Sequence, residues 1–232
     1  MLNQILTLQT TALRPMVSPE DVLHINSLSN PPPFPLLAED VYVRSCRLAG
    51  DAIDAHYGRF HTEHLPQLLA LTNGAPALIG HDRFSLPVAR FFGGEITEHN
   101  GAQYITPRFY WPKAHSKSLD FQTLLDSGII SETSISFTFT EPQCSVCSQD
   151  IRGCEHHLGE VYLGTLCHFW YQGLKRVLEG SFVYRGGEPG TAILAHPFDV
   201  IKEPPKISPV EAIETLRVFL GSVPVPFKIR KV

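Results

Sequence analysis

Four groups able to ligate a metal fall within one short stretch: Cys144, Cys147, Cys154 and His156, spaced Cys-x2-Cys-x6-Cys-x-His. A Cys-x2-Cys turn sets two thiolates on one side of a tetrahedral ion, and a second short pair closes the other side. His157 and Cys167 are alternative fourth ligands. Three thiolates favour zinc, and a closed set of four ligands is structural rather than catalytic. The competing readings are reduced cysteines in an ordinary loop and a disulfide pair. Three sulfurs without a nearby Glu-rich helix make a poor hydrolytic centre. The remaining cysteine, Cys46, stands far away in the chain and reads as a small core residue.

Two less conspicuous residues could do acid–base and nucleophilic chemistry. His81 ends the apolar run "APALIG". A histidine at the end of a strand is held by rigid backbone yet can face a cleft, as a general base must. Ser134 belongs to "ETSISFTFTE", in which Thr133, Ile135, Phe137 and Phe139 share one face and Ser134, Ser136, Thr138 and Thr140 the other. A serine becomes a nucleophile only with a base in hydrogen-bonding reach, and none stands beside it in the chain. The pair His61 and His64 has i, i+3 spacing, which reads more simply as an exposed helical face.

The elements that must position these groups are short and mixed. A helix is expected after Ser18, with Pro19 in its first position, followed by the stiff connector "NSLSNPPPFP". Strands are expected at Val41–Gly50, in "APALIGHD" and in "GSFVYRG". "RFFGGEITEHNGAQYITPRFYW" reads as a hairpin turning at Asn100–Gly101, because both positions tolerate positive φ. Helices are expected at Thr62–Thr72, capped by Thr62, at Leu119–Gly128, and at Ser208–Ser222 with Ser208 as cap. The class is α+β, strand-rich, with helices outside. The expected organisation is an N-terminal extension and Pro-rich connector over 1–40, a main domain over 41–200 with a Cys/His insert at 141–170, and a C-terminal helix and tail over 201–232.

Bulk properties narrow the function. The chain has 232 residues, 43% hydrophobic and 18% charged, with a formal net charge of −4. That balance argues against direct binding of nucleic acid. No apolar run approaches the roughly 20 residues of a spanning helix, so no membrane partner is expected. The N-terminus lacks a basic segment and a small-residue cleavage site, which makes a reducing cytosol the default setting and metal binding the default use of clustered cysteines.

Over about residues 41–195 the chain resembles the tailed-phage prohead (procapsid maturation) protease family, which shares its fold with the herpesvirus assembly protease. "HDRFSLPVAR" is similar to the family's histidine strand at His81, Asp82, Pro87, Val88 and Arg90. "GIISETSISF" is similar to its serine strand at Gly128, Ser134, Ile135 and Phe137, and "VLEGSFV" to a later element at Glu179, Ser181 and Val183. The Cys-rich insert, with Gly159 and Tyr162, looks like an element of some members. Ala89 and Ser136 stand where the family has glycines, which leaves open a degenerate member that has lost activity.

The resemblance implies a β-barrel-like core with peripheral helices and a serine endopeptidase. In it Ser134 would be the nucleophile, His81 the base, and Glu179 the group that orients the imidazole, with Asp82 as the local alternative. It implies a structural Zn2+, capsid and scaffold proteins as peptide substrates, and action inside the assembling procapsid in the host bacterial cytoplasm; it allows a homo-oligomer. The alternatives are a non-catalytic protease-fold component of the virion and a zinc-stapled binding module.

Overall fold

The computed structural model describes residues 17–194. Helix α1 (Pro19–Asn26) precedes strands β1 (Val41–Arg47), β2 (Ala49–Gly50) and β3 (Gly58–Arg59). Helix α2 (Leu65–Thr72) leads into β4 (Pro76–Ile79), β5 (Ala89–His99) and β6 (Ala102–Pro112). Helix α3 (Ser118–Asp126) is followed by β7 (Glu132–Thr138), β8 (Glu141–Cys144), β9 (Val161–Tyr162), β10 (Thr165–Leu166), β11 (Phe169–Gln172), β12 (Arg176–Val183) and β13 (Ala192–Leu194). The chain is therefore α+β and strand-rich, as its patterning predicts. The helix expected at Ser208–Ser222 lies outside the described residues, as do the ends of the extension, the main domain and the tail. No helix among the described residues is long and apolar enough to cross a membrane.

The main sheet runs β13-β1-β6-β5-β4-β12-β7, with β2 paired to β6. It is an open sheet and not the barrel expected. Its edge strands approach each other, Ile193 N donating to Ser131 O at 2.8 Å, but among the described residues no ladder closes the seam between β13 and β7.

The inner face carries the core. Phe91, Phe109, Ile105, Trp111, Phe182 and Cys46 are all nearly or fully buried, which places the lone cysteine where a small apolar residue belongs. Gly180 faces the same core, where any Cβ would meet Phe91 at 2.5 Å. On the outer face α1 and the connector cover Val41, Val43, Phe92 and Tyr110. The Asn26 side chain holds the connector by bonding both the N–H and the carbonyl of Leu36 at 2.9 Å. Ser18 and Asp21 form the capping box of α1, and buried Asp21 also accepts from Arg108 at 2.8 Å.

One local expectation needs adjustment. Thr62 does not cap α2: it begins a short 3-10 turn, and its hydroxyl donates instead to Asp51 Oδ2 at 2.6 Å. The hairpin β5–β6 turns at Asn100 and Gly101 as predicted, with φ of 52° and 80°.

A second, three-stranded sheet, β3-β11-β8, is built from the Cys-rich segment and its neighbours. It continues the main sheet in an informative way. The antiparallel pair β7–β12 runs on into the antiparallel pair β8–β11, bridged by Lys175 N to Thr138 O at 2.9 Å and Thr140 N to Gln172 O at 3.1 Å. One two-stranded arm thus extends from Ser134 to Cys144.

Candidate functional site

Along β7 the alternation read from the sequence holds: Thr133 is fully buried toward the core, while Ser134 and Ser136 are half-buried on the outer face. Opposite them on β12, Ser181 pairs with Ser134 and Glu179 with Ser136. Glu179 reaches that face because of a β-bulge. Val177 pairs with Phe137 and Glu179 with Ser136, so Leu178 is an extra residue between them. Without it the side-chain period of two would put Leu178 opposite Ser136 and turn Glu179 into the core.

His81 arrives from the neighbouring strand. β4 ends at Ile79, and Gly80 and His81 form the centre of a tight turn, with φ of 62° and 58° and Asp82 N donating to Ile79 O at 3.2 Å. A non-glycine residue at positive φ is strained and persists only where its surroundings hold it. Three bonds do so. Gly80 N donates to Phe182 O at 2.9 Å, His81 N donates to Ser181 Oγ at 3.1 Å, and His81 Nδ1 lies 2.7 Å from Glu179 Oε1. The sequence places His81 at a strand end; the structure puts it in a left-handed turn beyond it.

The Glu179 side chain is only 3% exposed, whereas that of His81 is 38% exposed. An ionised carboxylate can only accept, so against it Nδ1 is the donor of the pair, and in a neutral ring Nε2 is then the acceptor. The second carboxylate oxygen accepts from Ser181 Oγ at 2.7 Å. Asp82, the alternative orienting group, is engaged elsewhere: its Oδ1 accepts from Phe84 N at 3.0 Å and caps its own turn. Ser136 receives a hydrogen bond from Arg83 Nη2 at 3.0 Å.

Ser134 lies one strand from this pair. As the register partner of Ser181 it is separated from it by about 5 Å between Cβ atoms, and Ser181 itself touches His81. The Ser134 hydroxyl forms no hydrogen bond with the imidazole among the described residues. On its other side runs the loop after β12. A methyl group added to Gly187 would stand 3.7 Å from Ser134 Oγ, and a cleft of about 100 Å3 there is lined by Ser134, Asp54, His56, Gly187 and Glu188. Glu188 anchors this loop, its Oε2 accepting from Gly50 N at 2.7 Å and its Oε1 from Ala52 N at 3.1 Å. Burial, with some help from Asp54 and Asp51, outweighs those two donors and pushes the Glu188 carboxyl up to about 8.

The Cys/His cluster sits at the far end of the arm. Ligand atoms of Cys144, Cys147, Cys154 and His156 all lie within 4.8 Å of one another. None of the five cysteines is in a disulfide. A tetrahedral zinc with thiolates at about 2.3 Å would separate its ligand atoms by roughly 3.7 Å, so this set can hold a metal after a small contraction. Two details fit that use. His156 Nδ1 is buried without a hydrogen-bond partner, and Val146 N donates to Cys144 Sγ at 3.4 Å. The tight turn after Cys147 is completed by Ser148 at φ 62°, its N–H bonded to Cys144 O at 2.9 Å. Burial raises the Cys144 thiol, but hydrogen bonds from Cys147, Val146 and Cys154 outweigh it and leave the thiol below its ordinary value. Cys167 is buried beside the cluster but outside the set of four. Burial, then the nearby Cys144, pushes its thiol up to about 11. His157 is also outside the set, and its backbone N–H is bonded to Tyr162 Oη at 3.0 Å.

The sequence residues His81, Glu179 and Ser134 thus share one face, with only His81 and Glu179 in contact. In the sequence Ser181 is marked only as a position of the motif around Glu179, with no role of its own, and Gly187 only by its place in a Gly-rich loop. No protein-family model, no curated protein and no solved structure matches this chain.

Proposed function

We propose that the chain is a serine endopeptidase of procapsid maturation, acting on extended segments of capsid and scaffold proteins. The observation that carries this reading is the 2.7 Å contact of His81 Nδ1 with the buried Glu179 carboxylate, on the same sheet face as Ser134. A structural loop has little use for a strained histidine aimed at a buried carboxylate. A general base needs that arrangement.

In this reading Ser134 Oγ attacks the scissile carbonyl and its proton passes to His81 Nε2. The imidazolium is stabilised by Glu179 Oε1 and returns the proton to the leaving amine; water then repeats the sequence on the acyl-enzyme. The Gly187 backbone, beside Ser134, is the best source of an N–H for the oxyanion. The substrate would lie as an added strand along the outer edge of β7. The cluster of Cys144, Cys147, Cys154 and His156 would hold zinc as a closed structural site, supplying rigidity to the arm and no step of the reaction. The setting would be the assembling procapsid in the bacterial host.

The test is co-expression with a capsid precursor. Ser134→Ala and His81→Ala should each keep the fold and abolish cleavage. Undiminished cleavage by Ser134→Ala would sink the assignment.

A second reading is favoured by a specific observation. Ser134 does not bond the imidazole, and Arg83 ties down Ser136 where the family has glycine. On that reading the chain is a protease-fold scaffold of the virion with a relic of the site. Labelling of Ser134 by a fluorophosphonate separates the two, since only an activated serine reacts.

A further inference from the structure

Ser181 takes part in a closed ring of hydrogen bonds that neither nucleophile nor base requires on its own. Its hydroxyl donates to Glu179 Oε2 at 2.7 Å and accepts from His81 N at 3.1 Å. Glu179 Oε1 in turn bonds the His81 ring at 2.7 Å. The ring runs from imidazole to carboxylate to hydroxyl to backbone and returns to the same histidine. Ser181 has no exposed surface and Glu179 is 2% exposed, so water cannot take over either bond. The serine also serves as the cross-strand partner of Ser134.

We infer that Ser181 is a positioning residue for the His81–Glu179 pair, an inference that rests on the peptidase reading for its catalytic consequence but not for its geometry. Two degrees of freedom are fixed by one hydroxyl. The donated bond holds the carboxylate in the rotation that presents Oε1 to Nδ1. The accepted bond holds the backbone N–H of a left-handed histidine, the part of the turn with the greatest tendency to relax. Loss of the hydroxyl leaves the His81 N–H without its partner on β12 and the buried carboxylate with one donor fewer, and both changes favour a swing of the turn away from β12. Ser181 touches no substrate atom and is not itself a nucleophile: its proton is committed to Glu179.

The test uses the full chain and two readouts. By NMR, the Nδ1–H of His81 should give a downfield resonance that exchanges slowly with water, as expected for a proton held against a buried carboxylate. In Ser181→Ala that exchange should speed up about tenfold or more, the effect of losing a bond to a charged group. Against a capsid-precursor peptide, kcat should fall by about tenfold with KM unchanged, because the substrate strand does not contact Ser181. Ser181→Thr, which keeps the hydroxyl on a strand, should recover both. If Ser181→Ala does not fold, Ser181→Cys, with its weak donor, takes its place with the same expectations. Exchange at the wild-type rate in whichever variant folds would overturn the inference. The two claims fail separately. A wild-type chain that protects Nδ1–H but cleaves nothing would refute the peptidase reading and leave the role of Ser181 intact.

Discussion

Glu179→Gln is the sharpest perturbation, because it changes charge without changing volume at a position with two hydrogen bonds. The carboxylate accepts from the imidazole and from Ser181, both at 2.7 Å. An amide offers one acceptor and one donor. If its oxygen faces the imidazole, the Nδ1–H tautomer survives but the imidazolium formed during reaction loses its counter-charge. If its NH2 faces the imidazole, Nδ1 must accept, Nε2 carries the proton, and His81 can no longer take one from Ser134. A hydrogen bond to a charged group contributes ~1.5–3 kcal/mol against about 1 kcal/mol for a neutral one, so two weakened bonds cost roughly 1–3 kcal/mol. Relief from burying a carboxylate whose side chain is 3% exposed offsets much of this, and the expected net change in folding stability is within about 1 kcal/mol. The effect on turnover is larger. The equivalent change in a Ser-His-Asp protease costs about 10^4 in kcat through the wrong tautomer, and a loss of about 10^3 here corresponds to ~4 kcal/mol of transition-state stabilisation. Urea unfolding measures the first quantity and single-turnover cleavage of a precursor peptide the second. A Glu179→Gln protein that cleaves within about threefold of wild type would refute the reasoning, because the carboxylate would then neither orient nor charge-balance the imidazole.

Metal analysis of the purified chain should find about one zinc per molecule, and Cys147→Ser or His156→Ala should lower that content and the melting temperature together. Chelation that stopped cleavage while leaving the melting temperature unchanged would contradict a structural role. Glu188 binds its proton more tightly in the folded chain than in the unfolded one, where its ordinary value is 4.5. The folded state therefore holds the extra proton between about 4.5 and 8, and stability should decline as pH rises through that window and level off above it. Urea midpoints from pH 5 to 9 test this, with Glu188→Gln expected to flatten the decline. At Gly186 any Cβ would lie 2.1 Å from Thr191 Oγ1 and 2.7 Å from Thr133 O. Gly186→Ala should cost about 1–3 kcal/mol in unfolding experiments and displace the loop beside Ser134.

Some of this site is written locally and some is not. The face of Ser134 was legible because "ETSISFTF" alternates without interruption and places Ser134, Ser136 and Thr138 on one side. The hairpin at Asn100–Gly101 was legible because few residue pairs tolerate its turn. The candidate metal set was legible from spacing except for its fourth member, which spacing left open among His156, His157 and Cys167 and which the fold assigns to His156. Glu179 reached the site by a route the chain does not advertise, since the bulge at Leu178 is one extra residue in an ordinary apolar strand. The left-handed turn was half visible: Gly80 signals it, but His81 at φ 58° is imposed by Ser181 and Phe182 a hundred residues away. The barrel expectation failed for a similar reason. Closure depends on whether the two edge strands β13 and β7 pair, and edge pairing does not follow from the pattern of either strand.

The arm that joins Ser134 to Cys144 gives the Cys/His cluster a meaning at a distance. A two-stranded ladder can slide, and a slip by one residue exchanges its faces completely. In β7 that slip would turn Ser134 inward against Phe182 and bring Thr133 out. Cys144 lies ten residues beyond Ser134 on the same strand path, roughly 33 Å if fully extended, and its partner Phe169 lies ten residues before Glu179. An ion clasping Cys144 at the remote end would act as the index tooth of a ratchet, setting which hydroxyl meets which carboxylate without approaching either.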